Sequence, residues 1–286
     1  MSYRYFIQLS YNGSAYCGWQ KQPNAVSVQH WIEHGLDSIA GVDAGVTGCG
    51  RTDAGVHAGK FFAHFDFGEA LSAEAMLQLV FRLNRFLPDD ISVSEISPVV
   101  PAAHARFSAT WREYEYLILR RKDPFNFQKA YMLHGDLNIA SMNASSSMLI
   151  GKHDFESFSK VHTEVNNFIC TVQSANWVED GHYLKFTIRA DRFLRNMVRA
   201  IVGTLLDVGR GKISPDDFQK IMDSHNRGAA GFSVPARGLT LTGIGYPEEI
   251  FTKEPVFFSP ESGEKIISHY YTDTELHKGS GDKPDN

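Results

Sequence analysis

Cysteine is scarce in this chain. Cys17, Cys49 and Cys170 are the only three among 286 residues, and no two are close in sequence. An odd, scattered set excludes a disulfide framework and a CxxC metal site, and it suits a reducing compartment. No run of about 18 apolar residues occurs, which excludes a membrane-spanning helix. The first ten residues carry no basic segment followed by an apolar one. The expectation is therefore no secretory leader and a cytoplasmic protein. GxGxxG, GxxxxGK[ST], HExxH and GxSxG are all missing, so the sequence gives no fingerprint of a dinucleotide, a phosphate loop, a zinc protease or a nucleophile elbow.

What is present is an ordinary globular composition, 43% apolar and 21% charged. That is enough to bury a core, and the length allows one large domain or two ordinary ones. The net charge of −5 lies entirely in residues 247–286, which hold nine acids and four bases. Residues 1–246 are therefore neutral overall, and their arginines can still gather on one face and attract a polyanion.

The pattern predicts strands at 3–10, 46–48, 61–67, 91–96, 105–119 and 239–246, and a hairpin of 168–179 and 183–190 around Asp180-Gly181. Helices are expected at 26–40, from Ser72 to Phe86, at 138–150 and 193–208, with another opening at Ser214-Pro215-Asp216-Asp217. The last begins with a capping residue, a proline at the first helical position and early acids. Strands and helices mix without strict alternation, which argues for an α+β fold with antiparallel sheets. The organisation expected is an N-terminal half at 1–120, a connecting loop at 121–137, a C-terminal half at 138–254 and a tail at 255–286. Within the tail, 255–271 has apolar residues enough to dock, and 272–286 does not and should be mobile.

Three stretches could carry chemistry. Gly48-Cys49-Gly50-Arg51-Thr52-Asp53-Ala54-Gly55-Val56-His57-Ala58 places a cation, an acid and an imidazole in a glycine-rich turn. On spacing alone, Asp53 as a turn cap explains it. His64 and Asp66 share a strand face, but no third metal ligand is evident beside them, and they and His57 read as ordinary hydrogen-bonded residues. Arg192, Arg195 and Arg199 fall at helical spacing, a solvated basic stripe or a phosphate-contacting face. Arg106, Arg112 and Arg120-Arg121-Lys122 add bases elsewhere. Tyr114 and Tyr116 share a strand face, either packing in a core or offering a stacking platform for a base.

Residues 50–58 closely resemble the catalytic motif of the tRNA pseudouridine synthase A family. Further stretches match that family in order: Tyr11 to Gln20, His104 to Thr110 with Tyr114 and Tyr116, Gly151 to Phe158, Met197 to Arg199, and Pro235 to Leu241 leading into Gly245-Tyr246-Pro247. The resemblance implies two RRM-like (ferredoxin-like) halves forming a continuous antiparallel sheet flanked by helices, with a central cleft. It implies isomerisation of uridine to pseudouridine in the tRNA anticodon stem-loop, at positions 38, 39 and 40, by a homodimer with no cofactor. Asp53 would be the nucleophile or base, Arg199 its ion-pair partner, and Arg51 the residue that helps extrude the nucleotide. Tyr114 would stack on the uracil, with Arg192 and Arg195 as further substrate contacts. The alternatives are a paralogous synthase acting on another RNA site, or an inactive RNA-binding protein of the same fold.

Overall fold

In this computed structural model, the structure describes residues 2–41, 45–160 and 167–252, together with the backbone of two short strands at 256–258 and 265–267. The sequence expectations for the tail beyond 255 lie outside the described residues, those two strands of backbone apart.

The first half runs β1 (Tyr3–Tyr11), α1 (Val28–Ala40), β2 (Thr47–Gly48), β3 (His57–Phe67), α2 (Ala73–Phe86) and β4 (Ile91–Val99). Then come β5 (Trp111–Leu119), β6 (Tyr131–Met132), α3 (Ile139–Ser147), β7 (Gly151–Asp154), β8 (Ile169–Asp180) and β9 (Tyr183–Ala190). The chain continues with α4 (Met197–Gly209), α5 (Pro215–Asp223) and β10 (Leu239–Gly245), and with β11 (Val256–Phe258) and β12 (Lys265–Ile267), which pair with each other. Four of the five α-helices among the described residues start at a capping side chain. Ser27, Ser72 and Asn138 each accept a backbone N–H of the first turn, and Ser214 and Asp217 close a reciprocal capping box.

Ten strands form one sheet in the order β4-β1-β3-β10-β5-β9-β8-β7, with β2 added on β3 and β6 on β5. Pairing is antiparallel except for β10 against β3 and β6 against β5. The α+β architecture with a continuous, mainly antiparallel sheet is thus as the sequence implied. The buried side chains fall into two clusters. One is built from β1, β3, β4, α1 and α2, with Phe6, Phe61, Phe65, Ile32 and Leu83 at its centre. The other is built from β5, β8, β9, α3, α4 and α5, with Tyr116, Phe186, Ile201, Leu205 and Phe218. β10, last of the ten in sequence, lies between β3 and β5 and joins the two. Tyr114 packs against both clusters.

Three sequence expectations require correction. Residues 105–110 are not part of a strand, because β5 starts at Trp111. The segment turns instead, with Ser108 donating its N–H to the His104 carbonyl. The stretch 148–150 ends α3 early, and Gly151, at a φ of 111°, redirects the chain into the unexpected β7. Most relevant to the site, the helix expected from Phe193 starts only at Met197. Asn196 adopts the left-handed conformation, φ 67°, and breaks it. Asparagine tolerates that region, and here its side-chain amide donates to the Ser233 hydroxyl at 2.6 Å. Arg192 and Arg195 therefore precede the helix, and the three arginines do not line one helical face.

Candidate active site

β3 begins one turn after Asp53 and pairs in parallel with β10 through His57 and Ala58. This places the loop 49–56 at the seam between the two halves. The loop is held from below by the turn that follows β1. Gly55 donates its N–H to the Tyr16 carbonyl and Trp19 its N–H to the Thr52 carbonyl. The Tyr11 hydroxyl and the Thr52 hydroxyl lie 2.9 Å apart, buried. Here the glycines are steric requirements. A Cβ on Gly13 would stand 2.0 Å from the Val56 carbonyl oxygen, and one on Gly18, whose φ is +103°, would stand 2.3 Å from the Thr52 oxygen.

His57 acts as a bracket rather than a base. Its Nδ1 accepts the Gly13 N–H at 3.0 Å, so Nε2 carries the hydrogen and donates to the Arg237 carbonyl at 3.0 Å. The ring thus ties the β1 turn to the segment before β10. Burial lowers its pKa and keeps it neutral.

Asp53 lies at the surface of this cradle, its side chain 27% exposed, and faces two guanidinium groups. Arg199 Nη1 is 3.4 Å from one carboxylate oxygen and Arg195 Nε is 3.7 Å from the other. Arg199 comes from the first turn of α4 and is aimed by its Nε, which donates to the Val234 carbonyl at 2.8 Å. Arg195 is more than half exposed. Both guanidinium groups stand at ion-pair distance and orient the carboxylate.

Tyr114 lies on β5, edge-on to Phe193 with ring centroids 5.1 Å apart. Burial is the main reason its pKa is raised, with Cys49 and Asp53 adding to the effect, so it is a neutral phenol at any working pH. Glu113 and Glu115, on the opposite face of β5, are neutralised by the neighbouring strand. Glu113 accepts from Arg189 at 2.9 Å and Glu115 from Lys185 at 3.2 Å. Arg51 is exposed and has no hydrogen-bond or ion-pair partner among the described residues.

Sequence reasoning counted Arg112 only as a supporting base. In the structure its guanidinium donates to four carbonyls: Cys49 at 3.1 Å, Asp191 at 3.0 Å, Ala109 at 3.3 Å and Arg106. It therefore fastens the Asp53 loop, the 104–110 turn and the segment leading to Arg192. The available signal was the alternation that puts Arg112 on the same strand face as Tyr114. Among the described residues, Asp154, Glu156 and His225 could together hold a cation, with ligand atoms within 4.8 Å. They lie on β7 and its neighbours rather than around Asp53, and exposed acids of this kind are common without an ion. No helix among the described residues is long and apolar enough to cross a membrane.

Residues 146–247 match the family model described as tRNA pseudouridine synthase. The chain is 50% identical over 251 residues to tRNA pseudouridine synthase A of Parabacteroides distasonis, covering 88% of this chain and 99% of that protein. It is 51% identical over 250 residues to the protein of the same name from Bacteroides fragilis, covering 87% of this chain and 98% of that one. The chain belongs to the tRNA pseudouridine synthase A family. For the Bacteroides thetaiotaomicron relative the figures are 48% identity over 270 residues, with 91% and 99% covered. A chain of the solved Cbf5-Nop10-Gar1 complex aligns at 14% identity with a TM-score of 0.35, over 84% of this chain and 50% of that one. That likeness is too slight to argue from. The family relation spans both core clusters, so the Asp53 loop and α4 both lie within the shared region.

Proposed function

We propose that this chain isomerises uridine to pseudouridine in the anticodon stem-loop of tRNA, acting as a homodimer without a cofactor. The reaction breaks the C1′–N1 glycosidic bond, turns the uracil and forms a C1′–C5 bond. Nothing is oxidised or hydrolysed, so the requirement falls on one ionised carboxylate at the ribose. Asp53 meets it, either by attacking C1′ or by removing the C2′ proton to give a glycal.

The observation that carries this reading is the Asp53 carboxylate facing Arg199 and Arg195 at the seam, beside Tyr114, in a chain of this family. Arg199 orients the Asp53 carboxylate. Tyr114, a partly buried neutral phenol, offers its ring to the extruded uracil rather than a proton acceptor. Arg51, reaching into solvent two residues before Asp53, fills the space the nucleotide leaves and compensates the few kcal/mol of lost stacking. Arg192 and Arg195 approach the phosphates.

The test is to incubate the full chain with an unmodified tRNA transcript and map pseudouridine at single-nucleotide resolution. Conversion in the anticodon stem-loop is expected for the parent and none for Asp53→Asn, which should still bind tRNA. Turnover by Asp53→Asn, without deamidation back to aspartate, would sink the assignment. Conversion confined to another part of the RNA would identify a paralogous activity.

A further inference from the structure

The turn at 104–108 is built more firmly than a surface turn needs to be. His104 Nδ1 accepts the backbone N–H groups of Arg106, at 3.1 Å, and Phe107, at 3.3 Å. The Ser108 hydroxyl accepts the His104 N–H at 3.0 Å, and the Ala105 N–H is bound by His64 Nδ1 at 3.1 Å. Arg112 then ties the Arg106 and Ala109 carbonyls to those of Cys49 and Asp191.

This fixed backbone leaves an aromatic side chain in water. Phe107 is 74% exposed, its ring packed against the tilted His104 ring at 4.4 Å, with the Arg106 guanidinium over it at 5.4 Å. The four carbonyls gathered by Arg112 also bring three cations to this place. Arg106 lies in the turn, Arg51 two residues after Cys49, and Arg192 directly after Asp191. None of the three has a carboxylate partner among the described residues, and the Arg106 pKa is lowered by burial first and then by the nearby Arg51, Arg112 and Arg192. Crowded, unneutralised guanidinium groups around an exposed, immobilised ring are complementary to a polyanion that carries flat apolar groups.

We propose that Phe107 is a stacking platform for an unpaired base of the RNA next to the reacting uridine, with Arg51, Arg106 and Arg192 receiving the flanking phosphates. This rests on the RNA-modifying reading above. The ring occupies a fixed site beside the Asp53 loop because Arg112 binds both backbones. A base displaced from its stack by extrusion of its neighbour regains a π-face there. Stacking on an aromatic side chain is tolerant of base identity, so the platform contributes affinity and register rather than sequence choice.

The experiment measures equilibrium binding of a tRNA transcript in an Asp53→Asn background, where turnover cannot intervene, alongside the melting temperature of each variant. Phe107→Ala and Phe107→Leu should each weaken binding about tenfold or more. Phe107→Tyr should stay within about twofold of its parent, and all three should melt with the parent, because the ring is exposed. The proposal is overturned if Phe107→Ala binds as the parent does, or if Phe107→Leu binds as well as Phe107→Tyr, which would mean simple apolar contact. It is also overturned if the variants lose several degrees of melting temperature, or if the parent has no measurable affinity for the transcript. If the Phe107 variants lose binding while the chain with Asp53 intact makes no pseudouridine, the catalytic reading is refuted and the base-stacking role of Phe107 stands without it.

Discussion

Arg199 and Asp53 are 146 residues apart in sequence and 3.4 Å apart in space, with the guanidinium aimed by its own bond to the Val234 carbonyl. The second cation on the same carboxylate, Arg195, is held less well. Its side chain is 60% exposed against 21% for Arg199, and that side chain makes no hydrogen bond among the described residues. Exposed ion pairs contribute little, and half-buried pairs with a fixed partner contribute more. Arg199→Ala should therefore lower the single-turnover rate by at least ten times more than Arg195→Ala. Because Asp53 remains partly exposed, the loss in stability for Arg199→Ala should stay near ~1–2 kcal/mol, below the ~3–5 kcal/mol of a fully buried pair. Equal rate losses in the two variants would mean that Arg199 serves only as a phosphate contact.

Tyr114 offers a second comparison. Its hydroxyl makes no hydrogen bond among the described residues, and its ring packs on Phe193. Tyr114→Phe should keep the ring and hold both stability and tRNA affinity close to the parent. Tyr114→Ala, which opens a gap between the two core clusters, should lose about 3 kcal/mol or more of stability and most of the turnover. A rate loss in Tyr114→Phe as large as that in Tyr114→Ala would assign the hydroxyl a chemical step.

The floor of the Asp53 loop can be tested through a glycine. Gly13→Ala places a Cβ against the Val56 carbonyl, which is backbone and can retreat only by moving the loop. Activity should fall at least tenfold, and urea denaturation should show a loss of about 1–3 kcal/mol. Gly68→Ala, where the added Cβ meets nothing within 4 Å and φ is not left-handed, is the control without a clash. Matching losses in the two would remove the steric argument.

Two buried groups give opposite pH dependences. Burial, with Arg4 and His104 nearby, lowers His64 to about 4. The unfolded chain takes up that proton first, near pH ~6.5, so this contribution is complete above that value and is lost as pH falls from there towards 4. Burial raises Glu95 to about 7. Its folded form holds a proton that the unfolded chain releases from pH ~4.3 upwards, so its contribution is lost as pH rises towards 7. His64→Asn keeps an acceptor for the Ala105 N–H. Its stability relative to the parent should rise as pH falls from 6.5 to 4.5. Glu95→Gln should gain on the parent as pH rises over 4.5 to 7. Denaturation curves of parent and variants that stay parallel across this range would contradict both assignments.

The sequence by itself determined the local pieces. Period-two and period-3.6 apolar spacing located β1, α1, α2 and the β8–β9 hairpin, because each must turn one face towards a core. Ser72 and Ser214 marked helix starts because orphan backbone N–H groups need acceptors there. The family resemblance picked out Asp53 and Arg199, while spacing alone left Asp53 as a turn cap. The placement of β10 between β3 and β5, the left-handed break at Asn196 and the turn at 104–108 were decided only by the tertiary structure. So was the gathering of four loop carbonyls on Arg112. Backbone carbonyls are the same in every residue, so beyond the alternation that puts Arg112 on the Tyr114 face nothing in the sequence marks an arginine that binds four of them. The helix starts only after Asn196 because tertiary contacts outweighed a local periodicity that ran through it, and that same break is what brings Arg195 as well as Arg199 to the carboxylate.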